Sequence, residues 1–336
     1  MKHYRLAAVV FIIIVLIGGL WLFDKSQPQT NATLTLALDW TPNTNHTGIY
    51  VALQKGWYQA AGINLKLLPY SDSVSADTLV FSGKADVGIS STEGIVADAG
   101  AGSPVISIAA IVAHNTSELA VRQDSGITSP QQLDGKTYGG FGAAYESAEV
   151  GAVIKHAGGT GDFRNVTLDT DPVQALQSRR VDVVWIFAGW EAIEAQHQGL
   201  ALTTFPITQY GVPDYATPNF IASAATIKDK KALIRKFMSV TARGYEYARS
   251  HPSASAGLLM TAVPRGTFPD PSLVLESQAY LSPRYQDAYQ PWGVQTRAAW
   301  FGYVQFMLDH QGVVDAAGKP VKTLSVDSLY TNEFLP

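Results

Sequence analysis

Two short stretches put an aromatic ring beside carboxylate and amide groups: Asp39-Trp40-Thr41-Pro42-Asn43-Thr44-Asn45 and Phe187-Ala188-Gly189-Trp190-Glu191. Such side chains suit a flat molecule with a polar edge, because an aromatic face stacks on a heteroaromatic ring while carboxylates and amides pair with groups on its rim. Two more stretches add to the set. Ser90, Ser91 and Glu93 offer hydroxyls and a carboxylate. Tyr138-Gly139-Gly140-Phe141-Gly142 offers backbone that approaches a ligand closely, ahead of a helix whose N-terminal amides suit an anion or a carbonyl oxygen. Each residue also has a plain structural role. Asn43, Thr44 and Asn45 build turns, Trp40 can cap a core and Ser91 can cap a helix. Gly140 and Gly142 permit tight strand-to-helix packing, and Glu191 opening a helix is favoured by the helix dipole whatever it binds. Tyr210, Tyr215, Asn219 and Trp292 are weaker candidates for the entrance of a site.

Other chemistries are poorly provided for. The glycine-rich stretch is neither a phosphate loop nor a spaced dinucleotide fingerprint, so nucleotide hydrolysis has no support. His46 stands alone, with no second histidine at metal-ligand spacing, and no metal or cofactor is expected. Cysteine is absent, which excludes disulfides, thiol nucleophiles, thiolate metal sites and a lipidated N-terminal cysteine. The net charge is -4 with no basic run beyond the extreme N-terminus, so there is no footprint for nucleic acid. The cationic residues of the central region are Arg122, Arg164, Arg179 and Arg180. Glycosylation triplets at Asn31, Asn45, Asn115 and Asn165 match by pattern only.

These residues need a scaffold that gathers strand ends. With 336 residues, 46% hydrophobic and 15% charged, the chain exceeds the usual span of one core, and two lobes are expected. Short apolar runs alternate with amphipathic ones, as an α/β sheet requires. The pattern predicts strands over 34–38, 64–68, 87–89, 105–111, 119–121, 137–139, 166–168 and 181–186. It predicts helices over 48–61, 75–82, 95–100, 145–157, 172–178, 191–197 and 230–250. In an open α/β sheet ligands bind beside the carboxyl ends of strands, where Asp39, Ser90, Gly140 and Phe187 would all lie. Strand-like stretches at 118–122 and 219–223 are candidates for crossing between lobes.

Ahead of this body, Lys2, His3 and Arg5 precede an unbroken apolar run from Leu6 to Phe23, which is close to membrane-spanning length and lacks a small-residue cleavage site. Residues 1–25 read as an uncleaved signal anchor with the body outside the cell membrane, and 26–32 as a linker. A cleaved signal, giving a secreted or periplasmic body, is the alternative.

The runs L-x-W-T-P-N-T-N-H-T-G from Leu38, V-A-x-x-K-G-W-Y-x-x-A-G-I from Val51 and F-S-G-K-A-D-V-G-I-S from Phe81 resemble solute-binding proteins of ABC importers, in the group similar to thiamine-pyrimidine synthases. The resemblance implies a type II periplasmic-binding-protein fold, each lobe a mixed, mainly parallel sheet flanked by helices. One lobe would be 33–119 plus 223–336 and the other 120–222. It implies a monomeric body that delivers a small molecule to an ABC permease, with an aminopyrimidine precursor of thiamine as first expectation and riboflavin or an alkylsulfonate as alternatives. In the group an aromatic residue four positions before a glutamate stacks on the ring and the glutamate pairs with its exocyclic amine. Carried over, Trp40 and Phe187 would close on opposite ring faces and Glu191 would hold the amine, although Phe187 lacks the hydroxyl of a tyrosine. The synthases carry a cysteine-rich iron motif and a cofactor lysine followed by a histidine near the segment equivalent to Ile89–Ala97. That segment has no lysine or histidine here, so an enzyme is disfavoured. A ligand sensor is a further alternative.

Overall fold

The computed structural model describes residues 31–336. The expected signal anchor over 1–25 lies outside the described residues. Among the described residues, no helix is long and apolar enough to cross a membrane.

Ten strands form two five-stranded sheets. In chain order they are β1 (Ala32–Ala37), β2 (Ile63–Leu68), β3 (Val87–Ser90), β4 (Ile106–Ala110), β5 (Ser117–Arg122), β6 (Thr137–Gly140), β7 (Arg164–Thr167), β8 (Val183–Phe187), β9 (Leu202–Pro206) and β10 (Asn219–Ala222). The first sheet runs β2-β1-β3-β10-β4 and the second β7-β6-β8-β5-β9. Each is mixed, with β10 antiparallel to β3 and β4, and β5 antiparallel to β8 and β9. The chain passes between sheets through residues 111–116 and 210–218, which run side by side and are joined by the Ile111 N–H donating to Pro218 O at 2.8 Å. The lobe limits expected after residues 119 and 222 fall later, inside β5 and at the end of β10. The edge strand β9 was not anticipated: Leu202-Thr203-Thr204-Phe205-Pro206 buries only Phe205 and so shows no clear alternation.

Helices on the first sheet include α1 (Thr47–Gln54), α2 (Trp57–Ala60), α3 (Ala76–Phe81) and α4 (Thr92–Ala101). On the second lie α5 (Glu146–His156), α6 (Pro172–Gln177) and α7 (Glu191–His197). The C-terminal third adds α8 (Ala224–Asp229), α9 (Lys231–Ser250), α10 (Pro252–Ala262), α11 (Pro271–Leu281) and α12 (Arg297–Asp309). The single helix expected over 48–61 is two, because Gly56 takes a left-handed φ of 66° that ends α1 and turns the chain into α2.

Helical spacing of Ile234, Phe237, Met238, Thr241, Tyr245 and Ala248 buries one face of α9 against Leu34, Leu36, Val87, Ile89 and Phe220. Here α1 and α9 approach to backbone contact: a Cβ on Gly48 would stand 2.3 Å from the Tyr245 ring, and one on Gly244 only 2.0 Å from Gly48 O. A second apolar cluster is continuous across the two sheets, joining Ala37, Val80 and Ile221 to Leu119, Tyr138 and Val183, with Trp300 and Tyr303 of α12.

Candidate ligand-binding site

The carboxyl ends of β1, β3, β6 and β8 carry the residues singled out from the sequence. After β1, His46 is wholly buried and organises the loop. Its Nδ1 accepts the Asn43 N–H at 3.3 Å, so the ring proton is assigned to Nε2, which donates to Asp39 Oδ1 at 2.8 Å. Asn43 is occupied by the turn: Oδ1 accepts the Asn45 N–H and Nδ2 donates to Thr41 O. Thr44 Oγ1 bonds to Ser277 of α11. The Asn45 side-chain amide has no hydrogen-bond partner among the described residues, while the Asn45 main-chain carbonyl accepts the Tyr245 hydroxyl at 2.7 Å.

Trp40 is 40% exposed, with its ring 4.5 Å from Tyr70 and 6.3 Å from Phe141. Phe141, 43% exposed, follows β6, so this trio takes one ring from the second sheet and two from the first. The ring that meets Trp40 across the gap is thus Phe141. Phe187, the last residue of β8, is half-buried and packs against the core cluster that spans the sheets. Tyr70 was missed by sequence reasoning, since it sits in an ordinary polar loop after β2.

The glycine-rich stretch differs from the expectation. Two of its amides are already taken, because the buried carboxylate of Glu146 accepts the Phe141 N–H at 2.9 Å and the Ala143 N–H at 2.6 Å, together with the Tyr138 hydroxyl at 2.6 Å. Gly140 is required by this arrangement, as a Cβ there would lie 2.0 Å from Glu146 Oε2. Gly142 adopts a left-handed φ of 85°.

Ser91 caps α4, accepting the Gly94 N–H at 2.9 Å. Glu93 turns inward rather than toward Trp40. Its carboxylate accepts the Tyr215 hydroxyl at 2.6 Å, and Tyr215 also lies 3.3 Å from Glu149 Oε1 of α5. Tyr303 donates to Glu149 Oε2 at 3.1 Å. Burial raises the pKa of both glutamates, and the charge of Glu93 raises Glu149 further. Tyr215, from the second crossing segment, thereby links acids from the two sheets. Trp292 is a core residue stacked on Tyr245 at 4.5 Å, and Tyr210 packs on Phe205.

Glu191 is half-buried, and its Oε2 accepts the Phe187 N–H at 2.9 Å. No other residue among the described ones bonds to this carboxylate. Burial pushes this carboxyl up to about 7, partly opposed by the Phe187 N–H, and Glu194 beside it is likewise pushed up to about 7. On the first sheet Ser90 Oγ donates to Asp77, and burial with the neighbouring Asp77 charge raises Asp98 to about 7. No lysine or arginine is among the principal influences on any of these raised acids. The central arginines point elsewhere: Arg122 and Arg179 pair with Asp124, Arg180 with Asp169, and Arg164 donates to Thr137. Such surroundings favour a ligand that donates hydrogen bonds or carries positive charge over an anion. Among the described residues, no group of three or more acid or histidine side chains has metal-holding geometry.

Several contacts hold the two halves together. Ser277 Oγ donates to Gly189 O, Trp190 packs on Phe268 at 6.1 Å, and His197 of α7 bonds to Asp270 at 2.7 Å and Glu276 at 2.8 Å. On the flank of the crossing segments, His114 bridges Asp214 and Asp287 beside a cavity of about 390 Å³.

The profile of the family described as NMT1/THI5 like matches residues 43–255, more than half of the chain. A formylaminopyrimidine-binding protein of Halalkalibacterium halodurans is 23% identical over 92% of this chain and 94% of its own length. The riboflavin-binding protein RibY of Chloroflexus aurantiacus is 26% identical over 93% of this chain and 88% of its own. Other relatives at similar identity are named 4-amino-5-hydroxymethyl-2-methylpyrimidine phosphate synthase. Among solved structures, the periplasmic aliphatic sulphonate binding protein SsuA of Escherichia coli superposes with a TM-score of 0.63 at 14% identity, over 87% of this chain and 94% of its own. That likeness establishes the fold: two mixed sheets with flanking helices, as in periplasmic binding proteins.

Proposed function

We propose, on the premise that this chain belongs to the NMT1/THI5 like family, that it is the extracytoplasmic binding component of an ABC importer and takes an aminopyrimidine precursor of thiamine. The observation that carries the reading is Glu191, half-buried beside Phe187, its carboxylate bonded by no other residue among the described ones and influenced by the acids Asp171 and Glu194, with no lysine or arginine among its principal influences. A ring amine donating to Glu191 Oε1 would gain a charge-assisted bond worth about 1.5–3 kcal/mol. Stacking on Trp40, with Phe141 or Phe187 on the other face, would add about 0.5–1.5 kcal/mol beyond burial. In this reading the sheets are the cores of two lobes, the segments 111–116 and 210–218 are the hinge, and ligand binding favours the closed arrangement. Residues 1–25 would anchor the body to the membrane beside its permease.

The carboxyl-rich surroundings argue against a sulfonate, which would call for a cationic or multi-amide pocket. Riboflavin is the second reading, supported by the exposed trio Trp40, Tyr70 and Phe141 and by the riboflavin-binding relative. Catalysis is disfavoured because Ile89–Ala97 has neither lysine nor histidine and the chain has no cysteine.

The test is calorimetry on protein stripped of carried ligand, against 4-amino-5-hydroxymethyl-2-methylpyrimidine, riboflavin and taurine. Saturable pyrimidine binding, weakened at least about tenfold by both Trp40→Ala and Glu191→Gln, is expected, a change of about 1.4 kcal/mol each. Binding of riboflavin or taurine alone would overturn the ligand, and unchanged affinity in both variants would remove the site.

A further inference from the structure

Four buried side-chain polar atoms have no hydrogen-bond partner among the described residues, and three of them belong to Asn115, Ser117 and Asn219. The fourth, Ser255, sits in α10, whereas Asn115 lies within the first segment that crosses between the sheets and Ser117 and Asn219 directly follow the two segments. Buried polar groups are nearly always satisfied, because an orphan forfeits its water bonds for nothing. A concentration of orphans at one place in the fold therefore asks what satisfies them.

Their positions in the ladders answer it. Ser117 is the first residue of β5 and lies directly opposite Phe187, the last of β8. Asn219 is the first residue of β10 and lies directly opposite Ser90, the last of β3. Both stand beside the strand ends where open α/β sheets take ligands, one on each sheet. Ser117 and Asn219 are 3% and 0% exposed, so bulk water does not reach them. The orphan groups differ in kind. Asn219 donates through Nδ2 to Thr92 Oγ1 at 2.7 Å, which leaves Oδ1 as an acceptor. Asn115 accepts the Ser117 N–H through Oδ1 at 2.6 Å, which leaves Nδ2 as a donor. The Ser117 hydroxyl can do either.

We infer that Ser117, Asn115 and Asn219, closed off in this arrangement and reached when the sheets part along the crossing segments, are specificity-determining residues that read the edge of a planar heterocycle carrying both hydrogen-bond donors and acceptors. The inference rests on the proposed site and deepens it: the aromatic rings and Glu191 hold the molecule, while the hinge-flanking groups select the pattern of its rim. It also carries a consequence that a packing role lacks. Removing an unsatisfied buried hydroxyl relieves the ligand-free protein, so binding and stability should respond in opposite directions.

Ser117→Ala and Asn115→Asp decide the matter on the full chain in mild detergent, with 4-amino-5-hydroxymethyl-2-methylpyrimidine as the probe and Glu191→Gln as the reference. Asn115→Asp keeps the acceptor that holds the Ser117 N–H and replaces the orphan donor. Expected is an affinity at least tenfold weaker for Ser117→Ala with an unchanged or raised Tm without ligand, and weaker binding for Asn115→Asp. Wild-type affinity in both variants, while Glu191→Gln still weakens binding, overturns this inference and leaves the proposed function standing. No probe binding by the wild type overturns the pyrimidine reading, and this inference with it. A lowered Tm for Ser117→Ala with wild-type affinity assigns the hydroxyl to packing and likewise overturns the inference.

Discussion

Replacing Glu191 by glutamine tests the reasoning about the site most directly, because its consequence depends on pH in a way that follows from the structure. Burial holds the Glu191 carboxyl near 7 in the ligand-free protein, well above its ordinary 4.5. A ligand amine that donates to it requires the carboxylate, so binding expels whatever proton is there. About half a proton should be released per ligand bound near pH 7, and about nine-tenths near pH 6. Apparent affinity then falls about tenfold for each pH unit below 7 and levels off above about 8. At about pH 8, Glu191→Gln loses a charge-assisted bond and should bind at least tenfold more weakly, about 1.4 kcal/mol or more. Near pH 5.5 the wild-type carboxyl is itself neutral, and the two proteins should converge. Calorimetry in buffers of different ionisation enthalpy measures the proton release, and the difference between wild type and variant removes the ligand's own titration. Equal proton release by both proteins, or a variant defect that persists undiminished at pH 5.5, would refute the assignment of Glu191 as the amine-binding group.

Two further outcomes concern stability. Glu149 has a carboxyl raised by burial and by Glu93, so its stabilisation is complete below the unfolded value of 4.5 and is lost as pH rises through the folded value; Glu149→Gln, which keeps an acceptor for Tyr303, should flatten the decline of Tm as pH rises above 4.5. His197, its imidazole raised by hydrogen bonds donated to Asp270 and then Glu276, contributes fully below its unfolded 6.5 and loses that contribution as pH rises through its folded value; the Tm gap between wild type and His197→Ala should narrow with rising pH, and a constant gap would mean the ring acts through packing alone.

Much of the scaffold was legible because each strand end and helix start left a local mark. Leu34 and Leu36 alternate inward, and α9 repeats its apolar face every three or four residues. What failed were features that a local pattern averages away or that distant residues decide. The break at Gly56 depends on a left-handed backbone that a helical window averages away, and β9 is a strand because β5 offers it an edge. The site divides in the same way. Ser91 as a cap and Asn43 as a turn builder follow from their immediate neighbours. The inward turn of Glu93 toward Tyr215 and the meeting of Tyr70 with Trp40 depend on chain folded back from elsewhere. The orphans at Ser117 and Asn219 are visible only once every other partner has been placed.

The strand order of the first sheet bears on how the protein is made. Residues 117–206 contain every strand of the second sheet, so that half can complete its hydrogen bonding as soon as it has left the ribosome. The first sheet cannot. β4 is synthesised early, yet its only strand neighbour among the described residues is β10, more than a hundred residues later, and its Ser107 is bridged to Tyr330 close to the C-terminus. Until those arrive, Ile106-Ser107-Ile108-Ala109-Ala110 is an apolar strand with both edges bare, open to pairing with another nascent chain. Because β10 lies between β3 and β4, its arrival both closes the first sheet and sets the second crossing segment beside the first.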